Sequence, residues 1–256
     1  MDILQSVAMG VVEGFSEFLP ISSTGHMIVL SRWMGLPQDS MLKAFEVIVQ
    51  LASILAVTAN YADKFTLSKL DLWKKIFIAF LPLAIVGFIL RHEIKELFSV
   101  TVVAWAFIAG GVVFIVVEHF YDETSSPRTT NVEDVTIKQA LVVGIAQIAS
   151  LIPGTSRSGS TIIGGLLCGL DRKSSAEFSF LLAFPVMLAV SGYDLVSHYD
   201  EFAGNDMGIL AVGFVTSFVV AYLTIRLFIS FLRRFTFVSF GIYRIIFGTF
   251  LLFLYT

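Results

Sequence analysis

The sequence predicts an all-α polytopic membrane protein. Of its 256 residues, 56% are hydrophobic and only 14% are charged, whereas about 25% of the residues in a typical soluble domain are charged. The net charge of −3 provides no basic field of the kind that binds nucleic acid. Roughly 20 apolar residues are needed for a helix to cross a bilayer. Six stretches meet or approach this length: 41–60, 74–90, 100–120, 175–196, 208–231 and 237–255.

Two other apolar regions are too short to cross and are interrupted by polar turns. Segments 2–18 and 25–36 flank "PISSTG", and segments 137–152 and 159–170 flank "PGTSRSG". Short helices broken by Pro and Gly are typical of re-entrant hairpins, whose irregular backbone must be enclosed by protein or reached by water. We therefore predict six transmembrane helices plus two re-entrant helical hairpins.

The two hairpins are related by a shift of 134 positions, which indicates an internal duplication. Glu13 falls on Gln147 under this shift, and the two prolines lie one position out of register. Six residues keep their type: Gly10, Ser16, Ser22, Gly25, Gly35 and Leu36 correspond to Gly144, Ser150, Ser156, Gly159, Gly169 and Leu170.

The duplication predicts a single membrane domain, 1–256, made of one repeat at about 1–120 and a second at about 137–256. Each repeat contains a hairpin followed by three crossings, and an odd number of crossings inverts the second copy. In an inverted-topology repeat the two polar tips enter from opposite faces and meet near the midplane, where such proteins build their sites.

The distribution of lysine and arginine predicts the orientation. One set of connections contains ten of these residues and the other contains four, and the richer set is expected in the cytoplasm. The first hairpin then opens to the outside. The ten are Lys64, Lys69, Lys74, Lys75, Arg128, Lys138, Arg172, Lys173, Arg233 and Arg234.

The first polar tip begins with two carboxylates, Glu13 and Glu17, which share a helix face at i, i+4 spacing. A simpler interpretation puts both at a headgroup interface, but ionisable residues inside membrane segments usually mark function. Two carboxylates can hold Mg²⁺ or Ca²⁺, which prefer oxygen ligands. One of the two could instead act as a general base.

Three hydroxyls and a histidine follow in "SSTGH", residues 22–26. A turn here exposes backbone N–H groups at a helix N-terminus, which favours an anion. A hydroxyl beside His26 suits a nucleophile with an acid–base partner. A helix cap explains one of the hydroxyls Ser22, Ser23 and Thr24 but not all three, and a lone histidine is more often structural.

The second tip, "PGTSRSGST", places Arg157 between Ser156 and Ser158. Arginine binds phosphate oxygens through two parallel donors. The simpler interpretation, a snorkelling arginine, needs no loop rich in glycine and hydroxyls. The tips together suit a phosphate ester or diphosphate whose remainder is lipid.

Three weaker candidates lie in the crossings. Glu46 and Gln50 form an i, i+4 polar pair that either lines the site or hydrogen-bonds a neighbouring helix. Tyr243 and Arg244 are weaker still.

At these motifs the sequence resembles a known family. "EGFSEFLPISSTGH" and "PGTSRSG" are similar to the two signature regions of the bacterial undecaprenyl-diphosphate phosphatases of the bacitracin-resistance type, and "FEVIVQL", "AEFSFLLAFP" and "YRIIFG" resemble further segments. The likeness covers essentially the whole chain. It implies a multi-pass inner-membrane enzyme, dependent on a divalent cation, with its site open to the periplasm. The enzyme would convert undecaprenyl diphosphate to the monophosphate and recycle this carrier for peptidoglycan synthesis.

The resemblance also implies roles for individual residues. Ser23 would be the nucleophile and His26 the general acid or base, although the choice of nucleophile between them stays open. Glu17 would be a base or metal ligand, Glu13 a metal ligand, and Arg157 the stabiliser of phosphoryl charge. The residues lining the phosphate pocket would be Ser22, Thr24, Ser156, Ser158 and Arg157.

Two alternatives compete with this interpretation. Lipid phosphatases of the acid-phosphatase type also carry a Gly-His pair, but they need a second histidine soon after the arginine, and the next one here is His198. A transporter or lipid flippase also uses inverted repeats with polar tips, yet it needs no nucleophile. The expected partners are a polyprenyl diphosphate and membrane lipids, with no nucleic acid and with a homodimer left open.

Overall fold

The computed structural model describes residues 1–122, 128–197 and 207–255. Within these ranges the chain is helical apart from connecting segments and one isolated bridge between Thr129 and Leu170. The α-helices are α1 Ile3–Ser16, α2 Ser23–Trp33, α3 Ser40–Asn60, α4 Leu70–Ile89, α5 Arg91–Glu96, α6 Val100–Phe120, α7 Ile137–Gln147, α8 Arg157–Leu167, α9 Arg172–Ser197, α10 Met207–Leu232 and α11 Val238–Tyr255.

Six helices, α3, α4, α6, α9, α10 and α11, are long and apolar enough to cross a membrane. They confirm the six predicted crossings and the multi-pass class. The predicted crossing 74–90 begins earlier, at Leu70, because a 3₁₀ turn over Leu67–Lys69 leads into it. The short α5 was not predicted. The predicted loop residues 198–206, including His198, lie outside the described residues.

The four short helices pair as α1 with α2 and α7 with α8, at the positions of the two predicted hairpins. Both hairpins begin with the same capping box. In α1 the Asp2 carboxylate accepts from the Gln5 backbone N–H, and the Gln5 side chain accepts from the backbone N–H of Asp2. Thr136 and Gln139 repeat this arrangement in α7. The re-entrant placement of the hairpins and the predicted repeat limits stay predictions.

Helices from the first half of the chain pack against helices from the second half. Helix α1 packs mainly on α10, α7 packs on α4, and α6 packs on α11. The shift of 134 positions carries α1 onto α7 and places the start of α10 within α4. Each hairpin therefore packs on a crossing that belongs to the other half.

Close helix packing at the hairpins depends on glycine. A Cβ atom on Gly10 would lie 2.8 Å from the carbonyl oxygen of Gly213 in α10, and a Cβ on Gly144 would meet the backbone of Ala79 in α4. Small residues at such positions let membrane helices approach closely. Gly10 and Gly144 correspond under the shift, so both hairpins use the same contact.

A buried aromatic cluster packs beside the first tip. Phe18, which follows Glu17, contacts Phe180 of α9 edge-on at 5.3 Å between ring centroids. Phe180 in turn lies 5.9 Å from Phe228 of α10. Edge-to-face pairs of this kind add to the stabilisation from burial, so they fix the end of the first hairpin against α9.

At the lysine-rich end, Glu133 joins two connections. Its carboxylate oxygens lie 2.7 Å from the ammonium groups of Lys64 and of Lys69. Hydrogen bonds from Lys64 first and Lys69 second lower the pKa of Glu133 to about 2. The segment before α7 is thereby held against the loop before α4.

Candidate active site

The backbone of both tips adopts the same unusual conformation. Among the described residues, the non-glycine positions with positive φ are Ser22, at 68°, and Ser156, at 75°. They correspond under the 134-residue shift, and each directly precedes a helix, α2 or α8. Such conformations cost about 1–3 kcal/mol each and collect at functional sites. The two turns place Ser23 and Arg157 at the first positions of their helices.

In the first tip, Ser23 and Glu17 are buried and in direct contact. The Ser23 hydroxyl donates a hydrogen bond of 2.5 Å to Glu17 Oε2. Hydrogen bonds to a carboxylate are short and strong. A hydroxyl bonded to a buried base in this way is the arrangement expected of an activated nucleophile.

The second tip contacts the same carboxylate. Arg157 Nη2 donates to Glu17 Oε1 at 2.9 Å, and Nη1 donates to the backbone oxygen of Ser179 at 2.9 Å. The tips also touch where the Ser158 hydroxyl donates to the backbone oxygen of Leu19 at 2.9 Å. Glu17 thus joins Ser23 to Arg157 across the two tips. Arg157 Nε is buried without a partner among the described residues, which leaves a donor for a ligand.

Two adjoining cavities meet at Ser23. A cavity of about 250 Å³ contains the carboxylates Glu13 and Glu46. A second cavity of about 300 Å³ contains Glu17 and Arg157. Both are lined by Ser23, Thr24 and Gln50. The second also has an apolar wall, formed by Leu83, Ile94, Phe98, Val186, Met187 and Val190. Ser23 therefore lies between an acidic space and a space that contains the arginine.

The acidic cavity contains carboxylate oxygens, which are the ligands that divalent cations prefer. Glu13 Oε1 is buried without a hydrogen-bond partner among the described residues. The Glu13 carboxyl also lies within electrostatic reach of Glu17 and Glu46. No group of three His, Cys, Asp or Glu side chains in the described part of the chain could hold a metal. Mg²⁺, however, is commonly held by one or two carboxylates together with substrate phosphates, and the residues fit that arrangement.

His26 lies apart from these two cavities. Its Nδ1 is 2.8 Å from the carbonyl oxygen of Ser22, so Nδ1 carries the proton. Nε2 then accepts from the Tyr243 hydroxyl at 2.5 Å. The ring stacks on Phe247 at 4.6 Å and lines a third cavity together with Tyr243. The structure brings Glu17, Ser23 and Arg157 into contact, whereas His26 faces elsewhere.

The remaining predicted residues lie around the tips. Ser22, Thr24 and Ser156 line the second cavity. Ser156 Oγ also caps α8 by accepting from the Gly159 backbone N–H at 3.1 Å, and it lies 3.1 Å from Ser158 Oγ. Glu46 and Gln50 line the first cavity rather than serving only in helix contacts, although Gln50 also accepts from Ser191.

Two residues of the site were missed by the sequence reasoning. Ser179, which accepts from Arg157, lies within "AEFSFLLAFP", a segment that was noted only for its resemblance. Lys43 lines the first cavity three positions before Glu46. The i, i+3 spacing of Lys43 and Glu46 is the signal that could have identified it.

Comparison with known proteins identifies the family. Residues 6–250 match the family described as "Bacitracin resistance protein BacA". A relative from Sulfurovum sp. (strain NBC37-1), named undecaprenyl-diphosphatase, is 61% identical over 98% of this chain and 99% of its own length. Relatives of the same name from Sulfurimonas denitrificans and Methanococcus aeolicus are 62% and 50% identical, each over 98% of both chains. The chain, with its two contacting polar tips, belongs to the bacitracin resistance protein BacA family.

Proposed function

We propose that this protein is a membrane-embedded undecaprenyl-diphosphate phosphatase. It hydrolyses undecaprenyl diphosphate to undecaprenyl phosphate and inorganic phosphate. It thereby recycles the lipid carrier for peptidoglycan synthesis and gives resistance to bacitracin. The observation that carries this proposal is the chain of contacts from Ser23 through Glu17 to Arg157, in a protein whose full-length relatives are named undecaprenyl-diphosphatase.

The ion pair between Glu17 and Arg157 is the resting arrangement of the site. Diphosphate oxygens that enter the second cavity compete for the donors of Arg157, including the unpartnered Nε. Binding of the phosphate to Arg157 releases Glu17 Oε1 from its ion pair. Substrate binding therefore prepares Glu17 to take the proton of Ser23, to which it is already hydrogen-bonded.

The chemistry then proceeds in two displacements at the terminal phosphorus. Ser23 Oγ attacks this phosphorus and passes its proton to Glu17, and the bond to the bridging oxygen breaks, with its electron pair leaving on undecaprenyl phosphate. Water next attacks the phosphoserine, the bond from phosphorus to Ser23 Oγ breaks, and Glu17 returns its proton to Oγ, which releases inorganic phosphate and restores the Ser23 hydroxyl. Arg157 and the backbone N–H groups at the N-termini of α2 and α8 stabilise the charge on the phosphoryl oxygens.

A divalent cation is proposed as the cofactor. Glu13 would hold it, with Glu46 near enough to help, while Glu17 is occupied by Ser23 and Arg157. When bound, Mg²⁺ or Ca²⁺ would neutralise part of the phosphate charge. Glu13 Oε1, which is buried without a hydrogen-bond partner among the described residues, supports this assignment.

Ser23 has more support as the nucleophile than His26. The Ser23 hydroxyl lines both cavities and is bonded to a base. In His26 the acceptor nitrogen is already bonded to Tyr243, and the ring lines neither cavity. The acid–base role of His26 stays a prediction.

The lipid and membrane assignments follow from the surroundings of the site. The apolar wall of the second cavity suits the start of a prenyl chain, with the diphosphate at the polar end. The excess of lysine and arginine in one set of connections supports an inner-membrane protein whose site opens to the periplasm. The homodimer stays a prediction.

The decisive experiment measures phosphate release from a polyprenyl diphosphate by the purified protein in detergent. We expect release by the wild type, and a loss of about 10³-fold or more in Ser23→Ala, because a nucleophile and its base act as a unit. Ser31→Ala, which alters a buried serine farther along α2, is the matched control and should retain the rate. Acid quenching with substrate labelled on the terminal phosphate should trap phosphoserine. Absence of release by the wild type would favour the carrier alternative, and a fully active Ser23→Ala would refute the assigned nucleophile.

A further inference from the structure

The basis of the inference is the side chain of Arg244 in α11, which is fully buried. Its guanidinium donates to four backbone oxygens: those of Ala106 at 2.9 Å, Gly154 at 3.0 Å, Pro20 at 3.1 Å and Phe107 at 3.4 Å. It forms no ion pair with a carboxylate among the described residues. A buried charge is tolerated only when its hydrogen bonds are satisfied, and here backbone carbonyls satisfy it.

Two of these carbonyls occupy the same place in the two tips. Pro20 and Gly154 correspond under the shift of 134 positions. Each lies two residues before a positive-φ serine and three residues before Ser23 or Arg157. One side chain therefore holds both tips at equivalent atoms.

The position of Arg244 also has an equivalent, Gly110 in α6. A Cβ atom on Gly110 would collide with the guanidinium of Arg244. Helices α6 and α11 pack closely here, where a Cβ on Gly111 would lie 2.6 Å from the carbonyl oxygen of Gly241. The space between the two helices thus admits one arginine, and the missing side chain at Gly110 makes room for it.

We propose that Arg244 is a positioning residue that sets the spacing of the two tips and so aligns Ser23 with Arg157. The activity test of this proposal rests on the proposed function, because it measures phosphate release. Arginine suits this role because its planar fork bonds several acceptors in fixed directions. A misplacement of about 1 Å among reacting groups can cost about 10²-fold in rate. Loss of Arg244 should therefore lower kcat far more than it raises KM.

The test uses the internal symmetry of the protein. In Arg244→Gly we expect kcat to fall about 10²-fold, with KM changed only a few-fold. In the double variant Gly110→Arg/Arg244→Gly, an arginine from α6 reaches the same pair of carbonyls, and we expect at least about 10-fold of the lost kcat to return. Gly110→Arg alone should be impaired, because two guanidinium groups cannot share the space. A general structural role for a buried arginine predicts no such rescue.

A measurement independent of activity separates this proposal from the proposed function. Spin labels on Trp33→Cys and Leu167→Cys, in a Cys168→Ser background, report the separation of α2 from α8. Both sites are exposed, at 61% and 69%, and they correspond under the shift. We expect one narrow distance distribution with Arg244, a broad or displaced one in Arg244→Gly, and a narrow one again in the double variant.

Each outcome decides the role of Arg244. An unchanged distribution or an unchanged kcat in Arg244→Gly overturns the proposal. The proposal is also overturned if the double variant folds but is no more active than Arg244→Gly. If the wild type releases no phosphate while the distances respond as expected, the proposed function fails and the positioning role stands.

Discussion

The two hairpin tips share a backbone and differ in their chemistry. Ser22 and Ser156 have the same positive φ, and Gly10 and Gly144 make equivalent helix contacts. Yet Ser23 in the first tip corresponds to Arg157 in the second. Because the tips contact each other, corresponding positions come close together, and a hydroxyl faces a guanidinium across the Glu17 carboxylate. The two tips share a backbone frame, and the arrangement of charged and hydroxyl groups arises from the difference between them.

The carboxylates show the same asymmetry. Glu13 corresponds to Gln147 and Glu17 to Leu151, so the first tip holds the negative charges and the second holds the positive one. Both Glu13 and Gln147 are buried and keep side-chain atoms without partners among the described residues. Only Glu13, however, is a carboxyl group, whose oxygens are the ligand type that divalent cations prefer.

After the loss expected for Ser23→Ala, the next largest effect comes from removing the Arg157 guanidinium of the second tip. Arg157→Ala should lower kcat/KM by about 10²–10³-fold, because the phosphoryl charge loses a positioned donor. Arg157→Lys retains the charge but loses the paired donors, and should lose only about 10-fold. Initial rates of phosphate release measure both variants. Arg226→Ala, which removes a contact with Asn60 away from the tips, is the control. Equal losses of kcat/KM in the lysine and alanine variants would contradict the role assigned to the paired donors of the Arg157 guanidinium.

Glu13→Gln gives the first tip the residue type found at Gln147. The half-maximal concentration of Mg²⁺ for phosphate release should rise about 10-fold or more, because a charged oxygen ligand becomes neutral. A chelator should abolish release by the wild type, and added Mg²⁺ should restore it. Glu93→Gln, at an exposed position in α5, should leave the Mg²⁺ dependence unchanged. An unaltered Mg²⁺ requirement in Glu13→Gln would remove Glu13 from the cation site.

Part of this arrangement could be predicted from the sequence. The six crossings are strong signals because long apolar stretches have few alternative structures. The shift of 134 positions identified corresponding glycines and serines, and the excess of polar residues marked both tips. Recognition of the signature segments supplied the individual residue roles.

The partner of His26 could not be predicted in this way. Its Tyr243 contact joins residues 217 positions apart, and no local pattern in the sequence links the two segments that contain them. The positive φ of Ser22 was equally hidden, because serine shows no preference for that conformation. The bonds of Arg244 to backbone carbonyls depend on atoms that every residue possesses, so no residue type signals them.

The shared backbone of the tips can be tested through its strain. Ser22→Val should lower the free energy of unfolding by about 1–3 kcal/mol, because a β-branched residue is an outlier at positive φ. Ser22→Gly should be neutral or stabilising, since glycine adopts this conformation freely and the Ser22 side chain makes no capping bond. Denaturant titration in detergent measures both. Equal stability of the valine and glycine variants would show that the turn carries no strain.

The smallest expected effect lies at the entry to the second hairpin, where Glu133 contacts two lysines. The depressed pKa means that this carboxylate stabilises the fold above its ordinary value of 4.5, and that the stabilisation is lost as pH falls towards 2. Because Glu133, Lys64 and Lys69 lie at the surface and are only half-buried, Glu133→Gln should lower the Tm only slightly at pH 7. Near pH 2, Glu133→Gln and the wild type should have the same Tm. If the difference in Tm between Glu133→Gln and the wild type grew as the pH fell, the ion pairs could not be the source of the stabilisation.

The interlocking of the halves has a consequence for biosynthesis. Helix α1 is synthesised well before the helix it packs on most, α10, which begins about two hundred positions later at Met207. The first tip therefore lacks the support of α10 until that helix has been made. Neither half can mature by itself, and a gene split between the two halves should yield active protein only when both fragments are made in the same cell.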